Sequence, residues 1–280
     1  MNMNSSYMLS IVMFVYLVST SFYVATWVYK RTTFGMVARI ITITGFACHS
    51  IGMIMRWVES YQMGIGHAPL SNLYESLVFF SWTIILIYLI IEFRYKNQIV
   101  GAFVTPFAFL AMAYASLSPN IETRIQPLVP ALRSNWLIAH VTTCFLGYAS
   151  FAIACGLGII YLMKSNNPEG RSNLITGLPR TKILDIMMYN TVVFGFLFLT
   201  AGIITGAVWA NSAWGSYWSW DPKETWSLIT WLVYAVLIHA RMVRGWEGTR
   251  IAYLSIMGFV AVLFTYFGVN YIPGLHSYGQ

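Results

Sequence analysis

The stretch WGSYWSWDPKETW, Trp214 to Trp226, decides how this chain is read. It holds four tryptophans in thirteen residues, with Trp209 just before it and Trp231 just after. A long apolar run ends where it begins and another starts where it ends, so it joins two membrane-spanning segments and lies at a membrane surface. Indole is a broad flat face with one donor at its edge. Aromatic residues collect at membrane interfaces as anchors, and anchoring accounts for Trp27, Trp57, Trp82 and Trp246. The density at 214–226 exceeds what anchoring needs. A shelf of such faces suits a large planar ligand, of which a porphyrin is the leading candidate.

Composition agrees with the membrane setting. Of 280 residues, 58% are apolar and 9% charged, where soluble domains carry about 25% charged residues. Mean hydropathy is +0.65. The expected fold is all-α, a polytopic membrane helix bundle. The net charge of +7 therefore reports topology and not a nucleic-acid footprint. No basic residue precedes the first apolar segment, whereas Lys30 and Arg31 follow it, so it reads as a retained helix and not a cleaved signal. Cys48, Cys144 and Cys155 fall inside apolar runs. Cys144 and Cys155 share a helix face but lie about 16 Å apart along the axis, too far for a disulfide. No CxxCH motif is present, so the chain does not itself carry covalently attached haem.

Eight apolar segments are long enough to span, near 7–29, 38–57, 73–92, 99–117, 137–163, 186–208, 224–243 and 250–270. Alternate connections divide the basic residues unequally. One set holds Lys30, Arg31, Arg39, Arg94, Lys96, Lys164, Arg171, Arg180, Lys182, Arg241, Arg244 and Arg250; the other holds Arg56, Arg124, Arg133 and Lys223. Twelve against four places both termini and the tryptophan segment on the outer side. The longest hydrophilic stretches, 118–136 and 164–185, are too short for an appended domain.

Topology also sorts the five histidines. His140 opens segment 5 one helical turn after Trp136, His276 lies in the C-terminal tail, and His67 is in an outer loop; His49 and His239 lie within segments 2 and 7, nearer the inner half. A lone histidine in an apolar helix is usually a packed residue, yet two outer histidines bracketing a tryptophan shelf match what haem iron needs. His140 and His276 are the expected outer ligands. Asp221, Pro222 and Glu224 fit the N-cap, N1 and N3 positions of segment 7, and Asn72 and Glu75 read the same way at segment 3. Haem propionates are expected near these helix starts, helped by Arg56, Arg124, Arg133 or Lys223.

The tryptophan segment resembles the WWD signature of membrane haem-handling proteins of cytochrome c maturation. PLSNLYESLVFFSW (Pro69–Trp82) and GVNYIPGLHSYG (Gly268–Gly279) resemble the system II subunit, the CcsA/ResC family. The likeness runs from about Trp57 to the C-terminus. It implies N-terminal helices over 1–56 and a haem-handling membrane domain over 57–280, with the WWD segment at 209–231. It implies haem b as a transient cargo, presented at the outer face for attachment to a CxxCH apocytochrome c, as the haem-handling part of a holocytochrome c synthase (haem lyase) complex. The family's outer axial pair falls on His140 and His276, and its inner ligand on His239, whose mate comes from a ResB/CcsB-type partner. The contact set is completed by Trp209, Trp214, Gly215, Trp218, Trp220, Asp221, Glu224 and Trp226. A thiol-reducing thioredoxin-like protein is a further implied partner, and the host is a bacterial cytoplasmic or a thylakoid membrane. Two alternatives carry less: a haem exporter or loader of the other maturation pathway (CcmC-like), and a b-type electron-transfer cytochrome. The first lacks an account of NLYES and the HSYG ending, and the second needs more histidines within the helices than His49 and His239.

Overall fold

A computed structural model describes residues 4–166, 173–272 and 274. The described residues form helices and no strand: α1 (Ser5–Tyr29), α2 (Thr32–Gln62), α3 (Leu73–Tyr95), α4 (Gly101–Leu117), α5 (Asn135–Ser165), the short α6 (Asn173–Thr176), α7 (Thr181–Trp214), α8 (Pro222–Arg244) and α9 (Thr249–Tyr266). Single 3₁₀ turns occupy Pro130–Leu132 and Gly268–Tyr271. Eight long helices fall on the eight apolar segments, seven of them long and apolar enough to cross a membrane. The eighth, α4, has 17 residues with Pro106 inside it, about 26 Å of rise against a hydrocarbon core of about 30 Å.

Helix ends depart from the apolar runs where no residue breaks the backbone. α2 starts at Thr32 and ends at Gln62, beyond the apolar core of its segment on both sides. α7 continues to Trp214 and stops only where Gly215 turns left-handed, at φ 79°. Trp209 and Trp214 are therefore helical, and the tryptophan connection proper is only Gly215–Asp221. Trp82 also departs from its anchoring role. It sits in mid-α3, stacks on Phe79 and Phe46, and donates Nε1 to Ser50 Oγ at 2.9 Å.

The chain divides into two compact units, Met1–Val129 with Glu169–Pro179, and Pro130–Pro168 with Arg180–Gln280. In the first, α1 packs on α2 and α4, and α3 on α4. Buried ion pairs fasten it. Arg56 Nε lies 2.8 Å from Glu75 Oε1, with the two side chains 3% and 1% exposed. Arg56 also donates to Thr123 O at 2.9 Å and Ser6 Oγ at 3.2 Å. Glu75 Oε2 accepts from Ser71, and Asn72 Oδ1 caps α3 by accepting from Glu75 N at 2.8 Å. Arg56 is thus committed to Glu75 and is removed from the cations expected at a haem propionate. A second buried acid, Glu92, accepts from Arg39 Nε and Tyr23 Oη, both at 2.6 Å. His49 is fully buried with Nδ1 3.0 Å from Tyr16 Oη, which fits the packing role expected for it.

The second unit is built on α5, which packs against α7 and α9, while α8 packs against α9 and α7. Its α5–α7 contact is one glycine-lined seam. A methyl on Gly195 would meet the Phe151 ring at 2.7 Å, one on Gly147 would meet Gly195 O and Leu199 N at 3.1 Å, and one on Gly202 would meet Cys144 Sγ at 2.6 Å. A methyl on Gly206 would meet the His140 ring at 2.6 Å. The α5 members, His140, Cys144, Gly147 and Phe151, recur at helical spacing, and their α7 partners run in the opposite order, so the helices are antiparallel. Gly158 lies as close to α9, where a methyl would be 3.1 Å from Ala252 O. At the other end of α7, Asp185 pairs with Arg241 of α8 at 2.6 Å and accepts from Gly248 N at 2.7 Å, which clasps α7, α8 and the turn into α9.

The Arg56–Glu75 pair yields a stability prediction. Arg56→Met alone, which strands the buried carboxylate, is expected to cost about 3–5 kcal/mol. Adding Glu75→Leu should recover most of that loss. Thermal unfolding of the purified variants in detergent checks both, and an additive double variant would contradict it.

Candidate functional site

The tryptophan connection is closed by local chemistry. Gly215 ends α7, and the Ser216–Trp220 loop, exposed except at Trp218, turns back through Ser216 Oγ, which donates to Trp218 O at 3.0 Å. Trp220 stands at φ 60°, a left-handed conformation that a bulky side chain seldom adopts, and the residue is 68% exposed. Asp221 and Glu224 form the capping box of α8, with Pro222 at N1, as their spacing foretold. Glu224 Oε2 accepts from Asp221 N at 3.2 Å and from Ser219 N at 2.8 Å, so it anchors the loop as well as the helix.

The tryptophans do not present one continuous shelf. Trp209 is buried on α7, with Trp214 edge-on to it at 4.9 Å. Trp226 packs on Phe264 of α9 at 4.1 Å, and Trp231 donates Nε1 to Thr200 Oγ1 at 2.8 Å. Trp218 is half-buried, edge-on to Trp220, and its buried Nε1 has no acceptor among the described residues. Trp226 and Trp231 therefore serve packing between helices, and Trp209, Trp214, Trp218 and Trp220 are the faces next to the connection.

His140 belongs to this group. It lies in the second turn of α5, half-buried, with its ring parallel to Trp209 at 5.9 Å and 13°. Its Nδ1 is 2.8 Å from Gly202 O and 3.6 Å from Cys144 Sγ. A neutral imidazole that donates from Nδ1 to a carbonyl carries its lone pair on Nε2, the arrangement a histidine ligand to a metal uses.

His276 lies outside the described residues; before it the chain is described to residue 272 and at residue 274. Lys223 Nζ donates to Asn270 Oδ1 at 3.3 Å, and Asn270 Nδ2 donates to Tyr266 O at 3.1 Å. A methyl built on Gly274 would stand 2.8 Å from each carboxylate oxygen of Asp221. The start of α8 thus lies against the C-terminal chain two residues before His276, while Trp209 and His140 lie at the preceding helix end. His239 is elsewhere: exposed on α8, about 25 Å along the axis from Pro222. Leu232, Val236 and Val243 share its exposed face. His67 is buried, its ring nitrogens 2.8 Å from Ala68 O and 3.0 Å from Gln126 O. No cluster of three or more His, Cys, Asp or Glu side chains suited to a bare metal ion occurs among the described residues.

Sequence reasoning passed over the surroundings of His140, namely Gly202, Gly206 and Cys144. The signal was present as Gly202-x-x-x-Gly206, a small-residue spacing that brings membrane helices close. The Asn270 and Gly274 contacts to α8 carried no signal that spacing could disclose.

The family described as Cytochrome C assembly protein matches residues 70–276, which spans the tryptophan segment, most of the two flanking motifs and the histidines at 140, 239 and 276. The chain belongs to the cytochrome c assembly family. Its relatives carry the name cytochrome c biogenesis protein CcsA. One from Guillardia theta is 44% identical, with 84% of each chain covered. One from Trieres chinensis is 38% identical over 99% of this chain and 97% of its own length. One from Chlamydomonas reinhardtii is 45% identical over 81% of this chain, which spans 64% of that relative. A solved structure of cytochrome c haem lyase CcmF shares the fold, with TM-score 0.69 at 16% identity; the likeness covers 95% of this chain and 47% of that one. The family places this integral membrane protein in cytochrome c biogenesis and in the handling of haem.

Trp220 provides a test of how the connection is held. Its left-handed backbone would suit glycine, so Trp220→Gly is expected to leave the unfolding midpoint unchanged or to add up to about 1 kcal/mol. A lowered midpoint would show that the indole contributes packing to the fold.

Proposed function

We propose that this chain carries haem to the outer face of its membrane and presents it there for covalent attachment to an apocytochrome c. The observation that carries the reading is the His140 arrangement: a tautomer poised for iron through Nε2, parallel to Trp209, beside the connection that defines the family. The buried Trp218 Nε1 adds a donor that an anionic edge of the macrocycle would satisfy. These features fit haem b as a cargo. His276 is the proposed second axial ligand, and the contact of Gly274 with Asp221 supports its approach from the other flank.

The twelve-to-four bias of basic residues supports an arrangement in which both termini lie on the outer side. His239 then lies toward the inner end of α8. An ionisable side chain on an exposed face of a spanning helix is costly unless something covers it. That exposure supports a ligand shared with a ResB/CcsB-type membrane subunit, which would hold haem before it reaches the outer site. Attachment adds each cysteine S–H across a haem vinyl group, forming one S–C and one C–H bond with no net redox change. The chain's residues contribute position: the imidazoles fix the iron, the indoles restrict the ring, and the two reacting groups gain effective concentration. A thioredoxin-like protein would keep the apocytochrome thiols reduced. The host is a bacterial cytoplasmic or thylakoid membrane.

The test is co-expression with a ResB-type partner and an apocytochrome substrate. His140→Ala and His276→Ala are each expected to lower haem in the purified complex at least tenfold and to abolish holocytochrome formation, with imidazole in the medium restoring both in part. His239→Ala should reduce loading without changing the spectrum of the haem that arrives. Wild-type pigment and holocytochrome in the His140 and His276 variants would refute the proposal.

A further inference from the structure

We propose that Gly206 and the carbonyl of Gly202 are positioning residues for His140, forming a seat on α7 that admits the imidazole and fixes which ring nitrogen faces the iron. The inference rests on the reading of His140 as a haem ligand.

Two independent contacts define the seat. His140 Nδ1 lies 2.8 Å from Gly202 O, so the ring donates there and the lone pair resides on Nε2. Gly206, one turn further along α7, lies directly against the ring. A Cβ at 206 would stand 2.6 Å from Nδ1 and 2.7 Å from Cε1, distances that no real methyl tolerates. Any side chain at 206 must therefore push the imidazole out of line with Gly202 O. Trp209 closes the arrangement, parallel to the imidazole at 13°. α7 thus supplies, at 202, 206 and 209, an acceptor, a gap and a stacking face on one side of the helix.

The Gly202 carbonyl is itself held. Thr205 Oγ1 reaches it at 3.2 Å and Ala201 O at 2.8 Å, and Thr143 of α5 lies 3.4 Å from Thr205 Oγ1. A carbonyl in that position does two things for a ligating histidine. It excludes the tautomer that would turn a proton toward the metal, and it raises the basicity of Nε2, which favours ferric iron. Losing such a partner commonly weakens metal binding about 10–100-fold.

The seam offers its own control. Gly195 is packed as tightly as Gly206, with a methyl there 2.7 Å from the Phe151 ring, but it touches no histidine. A substitution that only separates α5 from α7 should act alike at both places. One that acts through the imidazole should be confined to 206.

The experiment uses the haem-loaded complex with its membrane partner and compares Gly206→Ala, Gly195→Ala and His140→Ala. Haem per folded protein and the midpoint potential of the bound haem are measured. Gly206→Ala is expected to lower haem retention at least tenfold and to raise the potential of what remains. Gly195→Ala is expected to reduce yield only, leaving haem per folded protein and the potential as in the wild type. Where Gly206→Ala accumulates poorly, the pair is read in the His140→Ala background, in which the vacated ring space houses the new methyl. There, free imidazole should rescue haem retention in His140→Ala, while His140→Ala with Gly206→Ala should need about tenfold more. Equal rescue in the two backgrounds, or a Gly206→Ala complex with wild-type retention and potential, would overturn the seat and leave the ligand assignment intact. Full haem in His140→Ala itself would overturn both.

Discussion

The close approach of α5 and α7 is the constraint on which the second unit depends. Lipid tails are as apolar as leucine, so membrane helices gain nothing from hiding hydrophobic surface from one another; they associate where backbones come near enough to interlock. Here Gly147, Gly195, Gly202 and Gly206 leave room in which the facing backbone or the side chains of Phe151, Cys144 and His140 pack. The same approach that packs the helices brings the Gly202 carbonyl within hydrogen-bond reach of His140. Packing and chemistry are therefore one feature of this helix pair, because a wider seam would lose both.

The Asp221–Glu224 pair plays a comparable double part. As caps, both acids satisfy backbone donors at the start of α8, and no catalytic role is needed to explain them. Glu224 also ties down Ser219, which fixes the exit of the tryptophan loop. Asp221 stands against Gly274, and Lys223 against Asn270, so the same helix start receives the segment that precedes the second proposed ligand. A capping box thus organises a loop on one side and a tail on the other. Trp220, held left-handed between them, is where the shortness of this connection is felt.

Much of this was legible in the sequence, and the exceptions have physical reasons. Long apolar runs located all eight long helices, because only a helix satisfies its backbone in a bilayer. Caps were legible because capping is local: Asn72, Asp221 and Glu224 act within a few residues. Helix ends were not, since α7 runs past its apolar stretch until a glycine can turn it, which moved Trp209 and Trp214 from loop to helix. Charge counting registered Arg56 as an outer cation but was blind to Glu75, nineteen residues on and in another helix. Trp82 looked like an anchor because its composition is that of an anchor, and only its mid-helix partners reveal otherwise. The glycine seam escaped for a related reason. Small-residue spacing marks a face that can pack closely, but it does not say what packs there.

α8 sets the scale for haem movement on the proposed reading. Its first turn contacts the approach to His276, and His239 lies about 25 Å further along the same helix. A hydrocarbon core is about 30 Å thick, so on this reading α8 holds His239 near one side of it and meets the approach to His276 near the other. No side-chain rearrangement covers that distance, and haem itself must travel. Exposure of His239 beside Leu232, Val236 and Val243 leaves the starting point open to a partner helix, whereas His140 is enclosed between α5 and α7 at the destination. A ligand half-supplied by another chain releases its cargo when that chain shifts. A ligand seated on glycines within its own unit holds the iron in one place while two thiols are brought to bear.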